Sequence, residues 1–351
     1  MQFFHILSII ESNHLRIIEK LMKIRSIKYL KINHFIGFML LCMANVVCNA
    51  ATIITHHSFA YITNQGEDTV SVIDTTLNQV IETIKVGKAP VGIAVSATLQ
   101  RVYVSNVESQ DISVIDASNN SVIDTIKIKG SPVGLALSPD SKTLYIADWF
   151  DNRILALNTA QTNIVREVNV GDAPAGITVS PDNQWLYVAN RDSNDIAMIE
   201  TASLTIKKRI KVGKHPYGIF VSASGKYIVS VNVKEDTVSI INTKTNQQKK
   251  LNVGYHPYCA TMSLDEKTLF VTNTQDDSVS VLNIATQKTI ATIAVGNTPE
   301  GISLDDTNQR AYIANWGSNN VSVIDTNSNK LLSNIKTGEK SRAFGQFILR
   351  R

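Results

Sequence analysis

Residues 173–213 read APAGITVSPDNQWLYVANRDSNDIAMIETASLTIKKRIKVG, and this stretch contains four short apolar or alternating segments: GITVS, WLYVAN, DIAMIE and IKKRIKVG. The segments are rich in β-branched or aromatic residues, and turn formers such as SPDN and NRDSND separate them. The stretch therefore predicts four antiparallel strands, which we name a to d in chain order.

The second of these segments recurs along the chain as a short strand that ends in Asn or Asp. The strand ends are Asn64, Asn106, Asp148, Asn190, Asn232, Asn273 and Asn315. Their spacing is always 42 residues, except for 41 residues between Asn232 and Asn273. Four strands per unit with a period in this range are typical of a β-propeller blade. The seven strand ends therefore predict seven blades.

The order of the strands predicts how the ring closes. The repeats begin with strand b of the first blade, FAYITN, and after Gly338 only one more strand remains, RAFGQFIL at residues 342–349. This strand would complete blade 1 as its strand a. We therefore expect an all-β, seven-bladed propeller of four-stranded blades over residues 51–351. Its C-terminal strand closes the ring and leaves no open sheet edge.

The first fifty residues differ from the rest in composition. From Met22 onward they carry a basic stretch and an apolar run of about 13 residues, and small residues precede Ala51. This is typical of a secretory signal peptide, and the run is shorter than the roughly 20 residues that span a bilayer. We expect residues 1–50 to be a leader, with Met22 as a candidate start and an uncleaved membrane anchor as the alternative. The mature protein would then lie in the periplasm or at the cell surface, without a membrane span.

The charge of the chain is distributed unevenly. The sequence has 34 Lys and Arg and 30 Asp and Glu, but residues 51–351 hold 28 of each. A neutral propeller argues against bulk attraction to nucleic acid or to an anionic membrane, and it leaves room for a local basic patch. Only Cys259 lies after the leader, so no internal disulfide forms. We expect a monomer and no bound cofactor.

The strand ends YITN, YVSN, YIAD, YVAN and YIAN resemble the YVTN-repeat family of bacterial β-propellers, over essentially all of residues 51–351. The resemblance implies a secreted, periplasmic or cell-surface protein. Relatives in that family include a periplasmic DNA-binding protein, surface-layer proteins, and propellers associated with nitrous oxide reductase and d-type heme maturation. Seven-bladed lactonases share the architecture more distantly. The motif identifies a fold more than a function.

The loops from strand d to the next strand a carry a Gly-x-x-Pro-x-Gly motif, as in GKAPVG, GDAPAG, GKHPYG and GNTPEG. Because strand direction alternates, these loops and the b-to-c loops lie on one face of the ring, which we call the top face. The Pro and Gly belong to the scaffold. The residues beside Pro are small or aliphatic in blades 2–4. Elsewhere they are polar or aromatic and form a candidate ligand patch: His215, Tyr217, His256, Tyr258, Glu300 and Arg342.

Several interpretations of these residues stay open. His215 and His256 either bond neighbouring carbonyls, or belong to the ligand patch, or bind a metal together with Glu300. A metal site is not expected, because a fourth ligand is missing. In the b-to-c loops, Trp149 and Trp316 either stack on a base, a sugar or a planar cofactor, or pack between blades.

The sequence has no phosphate-binding loop, no hydrolase nucleophile motif and no paired metal motif. We therefore expect a non-catalytic binding or scaffold protein that takes a small molecule or a protein at the top face. The first alternative is a cofactor-handling protein or an enzyme, of lactonase, lyase or tetrapyrrole type, using the same residues. The second alternative is a DNA-binding propeller.

Overall fold

A computed structural model describes residues 57–350, and in this range every regular element is a β-strand. Blade 1 begins with β1 (Ser58–Asn64), β2 (Thr69–Asp74) and β3 (Gln79–Lys85). Blade 2 contains β4 (Pro90–Ser96), β5 (Arg101–Asn106), β6 (Asp111–Asp116) and β7 (Ser121–Lys127). Blade 3 contains β8 (Pro132–Leu137), β9 (Thr143–Asp148), β10 (Arg153–Asn158) and β11 (Asn163–Asn169). Blade 4 contains β12 (Pro174–Val179), β13 (Trp185–Asn190), β14 (Asp195–Glu200) and β15 (Thr205–Lys211).

The remaining strands continue the same pattern. Blade 5 contains β16 (Pro216–Val221), β17 (Tyr227–Asn232), β18 (Thr237–Asn242) and β19 (Gln248–Asn252). Blade 6 contains β20 (Pro257–Met262), β21 (Thr268–Asn273), β22 (Ser278–Asn283) and β23 (Lys288–Ala294). Blade 7 contains β24 (Pro299–Asp305), β25 (Arg310–Asn315), β26 (Asn320–Asp325) and β27 (Lys330–Lys336). The chain then forms β28 (Phe344–Gln346) and β29 (Ile348–Arg350).

The predicted seven-bladed propeller is confirmed. Each of the seven sheets contains four consecutive antiparallel strands of one blade, and in blade 1 the fourth strand is β29, in the order β29-β1-β2-β3. The b and c strands are buried almost throughout, whereas the outer d strands are mostly exposed. This gradient places the apolar core between adjacent blades.

Closure differs from the sequence prediction in one detail, because the last segment is two short strands and not one. β29 pairs antiparallel with β1, as expected, but β28 pairs in parallel with β4 of blade 2. Ala343 and Gly345 have positive φ angles of 56° and 131°, which bend the backbone on both sides of Phe344. At Gly345 a Cβ would lie 2.2 Å from the Ile93 carbonyl oxygen, so only glycine lets β28 approach β4.

The aromatic residue of the repeated b strand explains much of the packing between blades. It is buried in every blade that has it, at positions 61, 103, 145, 187, 270 and 312. The Tyr61 hydroxyl donates to Asn120 (2.9 Å), and the Tyr312 hydroxyl donates to Asn78 (2.8 Å). Both acceptors lie in the c-to-d turn of the following blade. Each such ring therefore joins two blades, with a burial free energy of about 2–3 kcal/mol.

The Asn or Asp that ends each b strand is buried and joins two loops on the top face. In blade 4, the Asn190 amide donates to Asp195 (2.8 Å) and its oxygen accepts from the Gly171 backbone N–H (3.1 Å). In blade 5, the Asn232 oxygen accepts from Gly213 in the same way (3.1 Å). In blades 3 to 6 this residue therefore fixes the d-to-a loop against the b-to-c loop.

The single 41-residue spacing has a structural cause in β19. The outer strands of the other six blades contain a β-bulge, at which one extra residue interrupts the pairing with strand c. β19 pairs with β18 without a register shift and has five residues in place of seven. In β15 the bulge residue is Lys207, which lies between the paired residues Ile206 and Lys208. Blade 5 lacks this residue.

The predicted leader, with Met22 and the boundary at Ala50, lies outside the described residues. Within residues 57–350 no helix is long and apolar enough to cross a membrane.

Candidate functional site

The backbone around each Pro of the d-to-a loops is a shared scaffold. The residue before Pro has a φ near 50° in five blades, including 52° at His215, 51° at His256 and 51° at Ala89. The His215 N–H donates to Asn194 of the preceding blade (2.9 Å), and its carbonyl accepts from the Val233 N–H (3.1 Å). Since Val233 begins a b-to-c loop, the two loop sets lie on one face, as the strand order predicts.

The top face contains a cavity of about 330 Å³ on the side that the sequence indicates. Six of the eight candidate ligand-binding residues from the sequence analysis line this cavity, together with four others. Its lining is Trp149, Arg191, Tyr217, Val233, His256, Tyr258, Thr274, Thr298, Glu300 and Arg342. His215 and Trp316 do not line it.

Aromatic rings form the apolar part of this cavity. The ring centroids of Tyr217 and Tyr258 are 4.4 Å apart, and Trp149 lies 5.8 Å from Tyr217. Phe344, from β28, packs beneath both tyrosines at 5.0 and 5.9 Å. Phe344 also lines a second cavity of about 250 Å³ inside the central channel, which the a strands surround. The aromatic cluster therefore separates the top cavity from the channel.

A buried ion pair forms the polar part. The Arg342 Nε lies 2.5 Å from the Glu300 Oε2, and the side chains are 17% and 9% exposed. The Arg342 guanidinium also donates to the Tyr258 hydroxyl and to the Gln65 side-chain oxygen (3.3 Å). Arg342 is thus fixed by three partners at the cavity wall, and its charge is largely compensated by Glu300.

Burial sets the acid–base properties of these groups. It raises the pKa of the Glu300 carboxyl, and the charge of Arg342 opposes this shift. It also raises the pKa of Tyr217 and of Tyr258, again against the charge of Arg342. Cys259 is buried next to Tyr258 in the sequence, and burial raises the pKa of its thiol. The tyrosine hydroxyls and the thiol are therefore not adjusted to exchange a proton or to act as a nucleophile near neutral pH, and Glu300 is held in its ion pair with Arg342.

The two tryptophans have different environments. The Arg191 guanidinium carbon lies 5.6 Å from the Trp149 ring centroid, at the cavity. Trp316 lies apart from the cavity, where its Nε1 donates to Gln65 (3.1 Å) and the Lys340 ammonium lies 5.3 Å from its ring centroid. Trp149 therefore belongs to the candidate site, and Trp316 supports it only through Gln65.

The metal interpretation finds no support in the geometry. Within residues 57–350, no group of three or more His, Cys, Asp and Glu side chains is arranged to hold a metal ion. Glu300 is engaged by Arg342, and His256 lines the cavity while His215 lies outside it. The His215 Nδ1 is buried and has no hydrogen-bond partner among the described residues.

His215 makes stability depend on pH. Desolvation lowers its pKa, the charges of Arg191 and Lys234 lower it further, and Asp192 opposes them. The unfolded chain therefore takes up a proton first, at about pH 6.5, and folding stability decreases as the pH falls through this value. We expect His215→Ala, which copies Ala173 of blade 4, to reduce this dependence. Thermal melting of both proteins between about pH 7.5 and pH 5.5 tests it; equal losses in Tm would contradict the assignment.

Three contributors to the site were not predicted: Arg191, Gln65 and Phe344. Arg191 and Gln65 occupy the position directly after the strand-ending Asn, which is also the position of Trp149 and Trp316. Comparison of that position across the blades would have indicated both residues. Phe344 had no such signal, because the bend that places it under the tyrosines depends on the φ angles of its neighbours.

The fold and the site define a seven-bladed β-propeller with an aromatic and charged cavity on its top face. Two family models match parts of the chain: a lactonase, seven-bladed β-propeller family at residues 157–255 and a YNCE-like β-propeller family at residues 50–184. Each covers less than half of the sequence, so they support the propeller class. No curated protein sequence matches the chain.

Solved structures give the same class. Hydrazine synthase of Kuenenia stuttgartiensis is 24% identical with a TM-score of 0.70, covering 76% of this chain and 92% of that one. A functionally unknown protein from Desulfotomaculum acetoxidans DSM 771 is 15% identical with a TM-score of 0.71, and the match covers 82% of this chain and 99% of that one. Dihydro-heme d1 dehydrogenase NirN, solved in complex with DHE, is 14% identical with a TM-score of 0.63, and the match covers 79% of this chain and 63% of that one. At these identities the similarity establishes the fold.

Proposed function

We propose that this protein is an exported, monomeric YVTN-type propeller of the periplasm or cell surface that binds a small ligand without catalysis. The observation that carries the proposal is the cavity itself, where Trp149, Tyr217 and Tyr258 meet the Arg342–Glu300 pair. The small or aliphatic residues at the equivalent positions of blades 2–4 leave the other side of the ring without such a surface.

The lining favours a ligand with a planar apolar part and an acidic substituent. A volume of about 330 Å³ is at the lower end of the range for small-molecule sites, so one or two rings would fill it. Trp149 and Tyr217 offer ring faces for stacking. Arg191 and Arg342 bring two guanidinium groups to the lining, each with an ion-pair partner, Asp192 and Glu300, and a carboxylate or a phosphate is the substituent that guanidinium donors recognise.

The chemistry of the lining supports binding more than catalysis. Glu300 is the only carboxylate of the lining and is held by Arg342, while the tyrosine hydroxyls are kept protonated by burial. Glu300 therefore lacks a free position, and the tyrosine hydroxyls lack a suitable pKa, for acid–base or nucleophilic work near neutral pH.

A second candidate function is the handling of a planar cofactor such as a tetrapyrrole. It is supported by the aromatic lining, and by the fold similarity to a dehydrogenase solved in complex with DHE. A macrocycle is larger than the cavity, so only one edge of it would contact these ring faces and arginines, and both candidates share one test. DNA binding at the top face is disfavoured by the neutral charge of residues 51–351.

The test uses substitutions that the repeat already contains. Trp149→Val copies Val107 and Val233, and Tyr217→Val copies Val91, so we expect the double variant to fold. Its affinity for a planar acid should fall roughly tenfold for each ring removed. Thermal-shift titrations with indole-3-acetate, naphthoate and protoporphyrin IX, on both proteins, provide the measurement.

Phe150→Ala is the control, because this exposed aromatic residue directly follows Trp149 and does not line the cavity. It should keep the wild-type response. The proposal is wrong if no probe stabilises the wild type, or if the double variant responds as the wild type does.

A further inference from the structure

The neutral total charge of the propeller hides a strong separation of charge along the chain. Residues 57–200 hold 9 Lys and Arg and 17 Asp and Glu, whereas residues 205–250 hold 10 Lys and Arg and only 2 Asp and Glu. The second range includes β15 and β19, the outer strands of the neighbouring blades 4 and 5. One side of the ring's circumference is therefore basic.

The pairing register shows which of these charges depart from the repeat. Lys211 belongs to it, because the same position is lysine in blades 1, 2 and 7. Lys208 in β15 and Lys249 in β19 share another register position in the pairing with strand c, which is Glu82 in blade 1, Asp124 in blade 2 and Arg166 in blade 3. Exposed outer strands need some charge to resist edge-to-edge pairing, and a single acidic and a single basic residue meet this need in blades 1 and 2. β15 and β19 together carry six basic residues, which is more than protection of a strand edge requires.

The same two strands have lost the exposed apolar residues of the other blades. The bulge residue of the outer strand is apolar and about half exposed in blades 1, 2, 3, 6 and 7. In blade 4 the bulge residue is Lys207, and blade 5 has no bulge residue. The exposed large apolar residues of the outer strands are Ile81, Val122, Ile123, Ile164, Val165, Ile290, Leu331 and Leu332. None of them belongs to β15 or β19.

Four of the six basic side chains on β15 and β19 have a carboxylate partner within the protein. Lys207 pairs with Glu200 at 3.1 Å and Lys250 with Glu235 at 2.5 Å, while Arg209 and Lys211 share Asp195. The basic residues of 205–250 without a carboxylate at ion-pair distance in the described part of the chain are Lys208, Lys214, Lys226, Lys234, Lys244 and Lys249. Lys226 lies over the Tyr227 ring at 4.7 Å, and the other five charges are available to an external partner.

We propose that this basic flank, which comprises β15, β19 and residues Lys214, Lys234 and Lys244, docks the propeller side-on to an anionic lipid surface. The charges are spread along two outer strands and do not converge on a cavity. Most are lysines, which act as hydrated point charges and do not form the paired hydrogen bonds of arginine with a single phosphate. A broad surface of anionic headgroups matches this pattern, and its attraction to basic side chains accumulates with their number.

Other occupants fit the flank less well. β15 and β19 contain no aromatic residue, so single-stranded nucleic acid would find no ring on which to stack its bases. A second copy of the chain would offer Glu82 on β3 and Asp124 on β7, but each of these outer strands also carries a lysine. Such strands are neutral and do not balance the flank. Lys214 and Lys234 lie in top-face loops close to the cavity, but the proposal needs no ligand in the cavity and therefore does not depend on the proposed function.

The experiment is co-sedimentation of the full chain with vesicles of phosphatidylglycerol and phosphatidylethanolamine. The variant Lys208→Glu/Lys249→Glu changes two exposed side chains that form no ion pair. The control Lys330→Glu/Lys336→Glu makes the same change on the exposed outer strand of blade 7. The leader is identical in the three proteins, so their differences report on the propeller. We expect the flank variant to lose at least roughly thirtyfold in partitioning, the control to lose much less, and added salt to weaken wild-type binding.

The proposal is overturned if the flank variant and the wild type partition equally, or if the wild type binds pure phosphatidylcholine vesicles as well as anionic ones. It is also overturned if sedimentation without vesicles shows that the flank drives self-association. Binding of an oligonucleotide in place of the vesicles would assign the flank to nucleic acid and would equally overturn it.

Discussion

Removal of residues 344–351 is expected to yield insoluble protein, or protein whose free energy of unfolding is lower by roughly 5 kcal/mol or more. The deletion removes β28 and β29, and with them the buried side chains of Phe344, Phe347 and Leu349. It also exposes the edge of β1, whose inner neighbour is β29. Arg342 remains, so Glu300 keeps its partner and the loss reports on ring closure. Thermal melting and size-exclusion chromatography are the measurements.

Arg350→Ala is the control for this truncation. The side chain is about half exposed and its nitrogen lies 3.7 Å from Asp306, a separation at which an ion pair contributes little. This variant should melt close to the wild type. A truncated protein that elutes as a monomer and melts at the wild-type temperature would refute the closure topology.

The substitution Gly134→Ala is expected to destabilise the protein by about 3 kcal/mol or more. Gly134 lies on β8, where the a strands of neighbouring blades come closest, and a Cβ there would lie 2.1 Å from the Ala175 carbonyl oxygen. The backbone fixes the position of the Cβ, and the oxygen is a backbone atom, so no change of rotamer relieves the overlap. Urea denaturation of the variant and the wild type measures the difference.

Cys259→Ala provides the matched comparison, because Cys259 holds the equivalent position of blade 6 and already carries a Cβ. Removal of its buried sulfur should cost only about 1 kcal/mol. If Gly134→Ala were as mild as Cys259→Ala, the close approach of the a strands would not limit which residues fit the channel.

The seven-bladed fold could be predicted from the sequence because the residues that hold each blade in place recur in every repeat or nearly every one. The aromatic ring of strand b and the Asn or Asp at its end each have a defined partner in the structure, so they recur at fixed spacing. The spacing of 41 residues was visible, but its cause was not. A bulge is a property of pairing between two strands, and the residue count alone does not say which loop or strand lost the residue.

The site was accessible in part for the same reason. Tyr217, Tyr258, Glu300 and Arg342 stood out because they replace small residues at a position that the scaffold leaves free. The sequence could not distinguish His215 from His256, although only His256 lines the cavity. Which way a side chain points from a shared backbone position depends on packing against its neighbours, and periodicity carries no information about that.

The pairing of β1 with β29 also sets the order in which the protein can be assembled. Ser58 and Arg350 are partners at opposite ends of the described chain, so β1 emerges from the ribosome first and its inner neighbour last. Until β29 arrives, blade 1 has an open edge and the inter-blade core beside it is incomplete. Such distant pairing slows folding and prolongs the exposure of aggregation-prone surface. We therefore expect the propeller without its closing strand to be the form most prone to aggregation.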